Sequence, residues 1–398
     1  MYKPRVVFPF TEAGLGHIMP LKAIANKFEK KYGDKVEIVR SQFFTESGNE
    51  KLQQFEELLC KTVIRANKHV LFGFFMTMNM DFWGVRLASW ATMRHLKNGA
   101  RKPGYEHMAE LKPDLVVSTH WATNYYARHI DPMPLTVMYC PDAEMNPLFC
   151  YFCDLALVST PTGYVAARRK YKHRFDDTNL KLVPYLIREE AFDIPRDKKE
   201  VRRRLGLPED KFTIFLAEGG YGIGKMEQIC EIVLERDLPV TIIPICGKNE
   251  ELYQKFLGMK SKGKTSFVPV GYTDKMFEYE AASDLFCGKS GANMFAEACF
   301  FGVPQIVTKY ATNIEQHIGE YYVNIVRSAL KIFDAEKVVD KIEEFLAHPE
   351  RLDSLRRAAE GQHSNYGADE CADRIFELLC TKFPHLREGS GASAQNAD

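Results

Sequence analysis

The chain has 398 residues, 45% of them hydrophobic and 27% charged, with 53 basic residues balanced by 53 acidic ones. That length exceeds one ordinary core and suits two domains, and the composition is that of a soluble globular protein. A formal net charge of zero excludes a general attraction for nucleic acid or an anionic membrane and leaves only local basic patches for such contacts.

The opening "MYKPRVVFPF" leads straight into an apolar run, so no signal peptide is expected. No apolar run reaches the roughly eighteen residues that span a bilayer. "RVVFPF", "KVEIVRSQFF", "PDLVVSTH", "LTVMYC" and "LALVST" read as strands of a first half. The segment "LKAIANKFEKKYG" has helical period, and Gly14, Gly16 and His17 stand in the turn before it. Between the second and third runs, "HVLFGFFMTMNMDFWGVRLASWATMRHLKNGARK" packs Phe72, Phe74, Phe75, Met76, Phe82, Trp83 and Trp90 ahead of basic residues. It suits either a core with a solvated helix face or an apolar surface meeting an anionic interface. "ARRKYKHR" (167–174) is a second basic cluster.

Ten cysteines lie mostly within apolar segments, as reduced buried thiols do in the cytosol. Cys150 and Cys153 form a C-x-x-C, but no second ligand pair follows, so packing is expected there. The charged stretch "IREEAFDIPRDKKEVRRRLGLPEDK" divides the halves near residue 194, with a short helix closed by Gly206 and Pro208.

"FTIFLAE", "VTIIPICG", "TSFVPV", "DLFCG" and "PQIVTK" read as strands of the second half, with helix-period segments between them. The pattern implies α/β architecture, two Rossmann-like domains with parallel sheets that face each other across an inter-domain cleft. The expected domains are 1–193 for an acceptor and 194–387 for a donor, with a disordered tail over 388–398.

"EGGYGIGKM" (218–226) resembles a P-loop until Met226, where a magnesium-binding hydroxyl is required. A thioether is a poor ligand for a hard cation, which argues against an ATPase. The G-x-G-x-x-G of a dinucleotide site fails as well, because position 225 is Lys. Glycines after a strand still let backbone N–H groups approach a ligand, and they serve a plain tight turn equally well. "DLFCGKSGANMFAEACFFGVPQIV" repeats the arrangement. Lys289, Ser290, Gly291 and Ala292 form a small-residue turn, and a helix starts near Asn293. Glu297 lies one turn inside an apolar helix, where an unpaired acid would be costly and a ribose diol would suit it.

"SGANMFAEACFFGVPQIV" followed by "YATNIEQHIGEYYVN" resembles the nucleotide-sugar half of the GT-B glycosyltransferases. The group in question holds lipid II N-acetylglucosaminyltransferase, monogalactosyldiacylglycerol synthase and the diacylglycerol glucosyltransferases. "EGGYGIGKME" resembles the glycine loop of the glycolipid synthases, and "AGLGHIMPLKAIANKF" their opening G-x-G-H segment. The resemblance covers most of the chain in matching order.

It implies that Ala292, Asn293 and Met294 line a diphosphate and that Glu297 binds the ribose. Gly16 and the loop Gly219, Gly220, Tyr221 and Gly222 would approach a UDP-sugar, and Tyr272 would pack on uracil. Glu315 and Gln316 would read sugar hydroxyls, with Gln316 and His317 as the alternative register. His17 is the expected general base, since its ordinary pKa lies near the working pH. Asp142 either orients it or acts instead, and His120 is a weaker candidate.

The expected reaction is inverting transfer of a hexose from a UDP-sugar to a hydroxyl of a glycolipid or of a lipid such as diacylglycerol. UDP-sugar is co-substrate; no cofactor and no essential metal are expected, as the chain has no D-x-D triplet. The expected location is cytoplasmic, peripheral on the inner membrane face. A soluble small-molecule acceptor and a non-catalytic nucleotide-sugar-binding protein stay open as alternatives.

Overall fold

In the computed structural model, which describes residues 2–11, 15–68, 71–72, 99–145, 149, 153–218, 225–362 and 367–387, the described strands form two six-stranded sheets. The first contains β1 (Arg5–Phe10), β2 (Glu37–Gln42), β3 (Leu115–Ser118), β4 (Leu135–Cys140), β5 (Leu155–Val158) and β6 (Leu180–Leu182). Their spatial order is β2-β1-β3-β4-β5-β6 and every pair is parallel. Its helices are α1 (Leu15–Tyr32), α2 (Phe43–Glu46), α3 (Glu50–Lys68), α4 (Arg101–Glu110), α5 (Trp121–Ala127) and α6 (Pro161–Lys170). Leu115, Val116 and Val117 are fully buried, as expected of a parallel strand covered on both faces.

The second sheet holds β7 (Phe212–Ala217), β8 (Val240–Ile245), β9 (Ser266–Phe267), β10 (Leu285–Lys289), β11 (Gln305–Lys309) and β12 (Ala329–Lys331). The order is β12-β11-β10-β7-β8-β9, again all parallel. Its helices are α7 (Lys198–Arg204), α8 (Met226–Arg236), α9 (Glu250–Leu257), α10 (Met276–Ala281), α11 (Ala292–Phe300), α12 (Asn313–Glu320), α13 (Ala335–Ala347) and α14 (Glu350–Glu360). Asp197 caps α7 by accepting from Lys199 N–H at 3.0 Å, and the left-handed Gly206 (φ +69°) follows its end.

In open α/β sheets, ligands sit outside the carboxyl ends of strands where the strand order reverses direction. In the first sheet the reversal falls between β1 and β3, and in the second between β7 and β10. In the chain, His17, His120, the glycine run and the Lys289–Gly291 turn follow or end these four strands.

The expected domain limits need two corrections. The chain divides at 188/189, close to the expected boundary, but residues 66–68 and 71–72 group with the second unit, and residues beyond 366 return to the first. They carry α15 (Asp369–Lys382), whose Cys371, Ile375 and Leu379 are buried in one core with Val6, Phe8, Ile24 and Leu157. Tyr32 stacks on Phe376 at 3.8 Å between ring centroids and donates to Asp373 at 2.5 Å. An amphipathic helix carries no label for the core it will cover, so position in the chain misassigned this one. Residues 388–398 and most of the aromatic and Met-rich segment 73–98 lie outside the described residues.

Candidate functional site

In the first unit, α1 is the first helix after β1 in the chain, with Gly16 and His17 in its first turn. Pro20 lies inside this helix and has no N–H to donate to the Gly16 carbonyl, which loosens that turn. A Cβ built on Gly16 would meet nothing within 4 Å, so packing does not demand glycine there. His17 Nδ1 lies 2.8 Å from the Thr119 carbonyl, and Thr119 Oγ1 donates back to the His17 carbonyl at 2.7 Å. A carbonyl only accepts, so Nδ1 carries a proton and the neutral ring keeps its lone pair on Nε2.

Phe149 stacks against the His17 ring at 5.9 Å, and the His120 ring meets it edge-on at 5.3 Å. Burial holds the His17 pKa below its ordinary value, partly offset by the Thr119 carbonyl. The imidazole is therefore neutral at pH 7, the state a general base needs.

His120 does something different. It is the N-cap of α5, its Nδ1 accepting from Ala122 N–H at 3.3 Å, and it is 5% exposed. Burial first, and then His17, push its pKa well below the ordinary range. With the lone pair at Nδ1 committed to the cap, its Nε2 holds the proton and offers no basic atom. Asp142 follows β4 on the same carboxyl edge of the sheet. Because the Thr119 carbonyl occupies His17 Nδ1, Asp142 does not orient the histidine through that atom.

In the second unit, Met226 is 1% exposed and packs with Ile229, Cys230 and Val233 in the core. It anchors α8, which explains why the sequence spends no hydroxyl there. Gly219, Gly220, Tyr221 and Gly222 lie outside the described residues. The residue before them, Glu218, is not among the expected site residues. It is 3% exposed at the end of β7, and its Oε1 accepts from the Lys225 N–H at the start of α8 and from Thr308 Oγ1 at 3.4 Å. Its signal was present as an acid between an apolar strand and a glycine run, in register to meet the next helix end.

The β10–α11 turn is open by contrast. Gly291 is the N-cap of α11, and no side chain caps the helix. At φ −77° and ψ 134° any residue would fit, and a Cβ there would meet nothing within 4 Å among the described residues. Gly288, three residues earlier, is required by packing, since a Cβ would fall 2.1 Å from the Ala217 carbonyl oxygen. The first N–H groups of α11, on Ala292, Asn293 and Met294, thus form a positive helix terminus with no described residue within 4 Å of a Gly291 Cβ. Glu297 lies one turn further on and is 8% exposed.

Three expected ligand contacts are committed within the protein. Lys289 Nζ pairs with Glu315 Oε1 at 2.7 Å, both side chains being mostly buried. Glu315 Oε2 accepts from Ala311 N–H at 2.7 Å, and Ser290 Oγ donates to the Glu315 carbonyl at 2.6 Å. Lys289 therefore presents a neutralised charge, and Glu315 and Ser290 tie α12 to the β10–α11 turn. The Gln316 side chain makes no hydrogen bond within the described residues, and the Tyr272 ring is 78% exposed. Cys153 is buried in the first unit's core with its thiol pushed up to about 12 by burial, and Cys150 lies outside the described residues.

Residues 226–370, the stretch from α8 to the start of α15, match the glycosyltransferase family 28 C-terminal domain. Monogalactosyldiacylglycerol synthase 1 (chloroplastic) of Arabidopsis thaliana is 21% identical over 360 residues, covering 85% of this chain and 64% of its own length. The processive diacylglycerol β-glucosyltransferase of Bacillus cereus is 25% identical over 208 residues, covering 52% of this chain and 53% of its own. This chain thus spans between half and two thirds of these relatives. Among solved structures, MurG of Acinetobacter baumannii superposes with a TM-score of 0.58 at 12% identity, over 94% of this chain and all of that one. The fold is accordingly of the GT-B type, as its two parallel sheets indicated.

Proposed function

We propose that the protein is an inverting, UDP-sugar-dependent hexosyltransferase that glycosylates a hydroxyl of a lipid such as diacylglycerol. The observation that carries this reading is the uncapped first turn of α11, with open space above Gly291 and Glu297 one turn inside, within the family 28 segment. A diphosphate is the anion such a helix end receives, and a buried carboxylate one turn away suits the two hydroxyls of a ribose. Exposed Tyr272 offers its ring to the uracil, and Gln316 its amide to the sugar. Both relatives named above are enzymes of diacylglycerol glycosylation, which supports a lipid acceptor.

In the reaction, the acceptor hydroxyl gives its proton to His17 Nε2 as its oxygen bonds to the anomeric carbon. The bond from that carbon to the diphosphate oxygen breaks on the opposite face, so configuration inverts. The charge that develops on the leaving diphosphate is met by the N–H groups of Ala292, Asn293 and Met294. The chain's own groups supply base and oxyanion stabilisation, and we extend the proposal to independence from added metal. EDTA is then expected to leave turnover unchanged. The proposed location is the cytoplasmic face of the membrane, peripherally bound; no helix among the described residues is long and apolar enough to cross it.

The decisive experiment incubates the protein with a lipid extract and UDP-glucose, UDP-galactose and UDP-N-acetylglucosamine, and reads products by mass spectrometry. His17→Ala is expected to lower turnover by about 10²- to 10⁴-fold, the usual worth of a general base, with UDP affinity retained. UDP binding without turnover on any donor would instead mark a non-catalytic binding protein. A product confined to soluble hydroxyl compounds, with no protein floating with liposomes, would replace the lipid acceptor. The acid limb of the rate profile is expected below pH 6.5. His17 protonates only as pH falls through its lowered pKa, so the base form is complete above the ordinary value.

A further inference from the structure

Glu218 is a buried acid that the proposed reaction does not use. Its Oε1 holds the Lys225 N–H, while Oε2 is buried with no hydrogen-bond partner among the described residues. Reaching Thr308 carries the carboxyl across the end of β10, because β10 stands between β7 and β11. Ala217 pairs with Gly288, and the β10–β11 ladder skips Thr308, passing from Gly288↔Val307 to Lys289↔Lys309. The carboxyl group therefore lies against the strand end that leads into the Lys289–Gly291 turn.

The charged groups around it leave it poorly compensated. Lys309 on β11 is the cation that acts on it. Lys289 on β10 is paired with Glu315, and the Lys225 ammonium turns to Gln228 at 3.2 Å. Cys230 on α8 and Cys287 on β10 are thiols held protonated by burial. Burial already raises the Glu218 pKa, against the pull of the Lys225 and Met226 N–H groups, Lys309 and Thr308. A second anion brought beside a buried carboxylate disfavours its ionised form further.

We propose that Glu218 is a positioning residue of the donor site that takes up one proton from solvent when a nucleotide diphosphate seats on the first turn of α11. Protonation turns the carboxylate into a carboxylic acid with the new O–H at Oε2, and Oε1 keeps its bond from Lys225 N–H. The helix start of α8 stays held while the negative charge beneath the diphosphate disappears. This inference rests on the UDP-sugar reading above.

The test is calorimetric titration of the full chain with UDP-glucose in buffers of different ionisation enthalpy. UDP-glucose is the chosen probe because its diphosphate, substituted at both ends, lacks the terminal phosphate ionisation near pH 6. Wild type is expected to take up as much as one proton, and Glu218→Gln close to none. Glutamine has the shape of the neutral acid and still accepts from Lys225, so the variant's affinity should be retained and should stop depending on pH. Should that variant fail to fold, the wild-type affinity series from pH 6.5 to 8 decides alone. Affinity is expected to weaken with rising pH, by as much as about tenfold per unit where a full proton is taken up. Binding with no proton uptake, or equal uptake in both proteins, overturns the role of Glu218 and leaves the donor reading intact. No binding of UDP-glucose, UDP-galactose or UDP-N-acetylglucosamine overturns both.

Discussion

The second unit passes from strand to helix at two neighbouring strands beside the reversal point of its sheet, and the two differ in who occupies the helix end. The β7–α8 turn has the richer glycine run, yet α8 begins on an internal anion, the Glu218 carboxylate accepting from Lys225 N–H. The β10–α11 turn has the plainer sequence, yet among the described residues α11 begins with no side-chain cap and with nothing within 4 Å of where a Gly291 side chain would start. A helix N-terminus attracts anions because its first N–H groups lack partners. Counting glycines does not report that state; asking which acceptor already sits there does.

The largest expected effect comes from filling the open turn. Gly291→Val fits the backbone at φ −77° and puts two methyl groups into the empty space. Overpacking a site typically costs 1–3 kcal/mol, so UDP-sugar affinity should fall by about ten- to a hundredfold. The melting temperature should stay within a degree or two of wild type. Unchanged affinity would mean that the space belongs to no ligand. Gly288→Ala, three residues away, gives the opposite pattern. Its Cβ would collide with the Ala217 carbonyl, so stability falls.

Next in size is Met226→Thr, which completes the P-loop consensus in letters. Met226 is buried among Ile229, Cys230 and Val233, so the change removes apolar volume and buries a hydroxyl. A loss of about 1–3 kcal/mol is expected in chemical denaturation, with no gain of magnesium-dependent ATP binding. ATP hydrolysis in this variant would break the comparison, because it would show the β7–α8 turn to be the phosphate site after all.

Much of this was legible in the sequence. Apolar runs alternating with helical period, short turns and the "SGAN" helix start carry their physics locally, so fold class and the α11 turn could be read directly. What escaped depends on contacts between distant residues. Thr119 fixes the tautomer of His17 from 102 positions away, and the Lys289–Glu315 pair spans 26. His120 spends its basic nitrogen two residues ahead, on a cap that sequence rules associate with Ser, Thr, Asp or Asn. α15 covers the first unit's core because its apolar stripe finds Tyr32 and Ile24 there, a choice that only packing makes.

The smallest effect, and the one that sharpens the comparison most, concerns Glu315. Its carboxylate sits between Lys289 Nζ and Ala311 N–H, both at 2.7 Å, so the ion pair hides a cation at the edge of the open turn. Glu315→Gln keeps an acceptor for Ala311 and frees the lysine charge. One hydrogen bond from the freed ammonium to the diphosphate is worth roughly 0.5–1 kcal/mol net, which corresponds to about a two- to fivefold change. If the pair is a tie between α12 and the turn, free UDP should bind that much more tightly in the variant, and the gain should shrink as salt is raised. If Glu315 instead reads sugar hydroxyls, UDP affinity should not move, and kcat/KM for the UDP-sugar should fall while the salt dependence stays as in wild type. Measuring UDP and UDP-sugar on the same variant separates the two, because only the sugar arm distinguishes a reader from a tie.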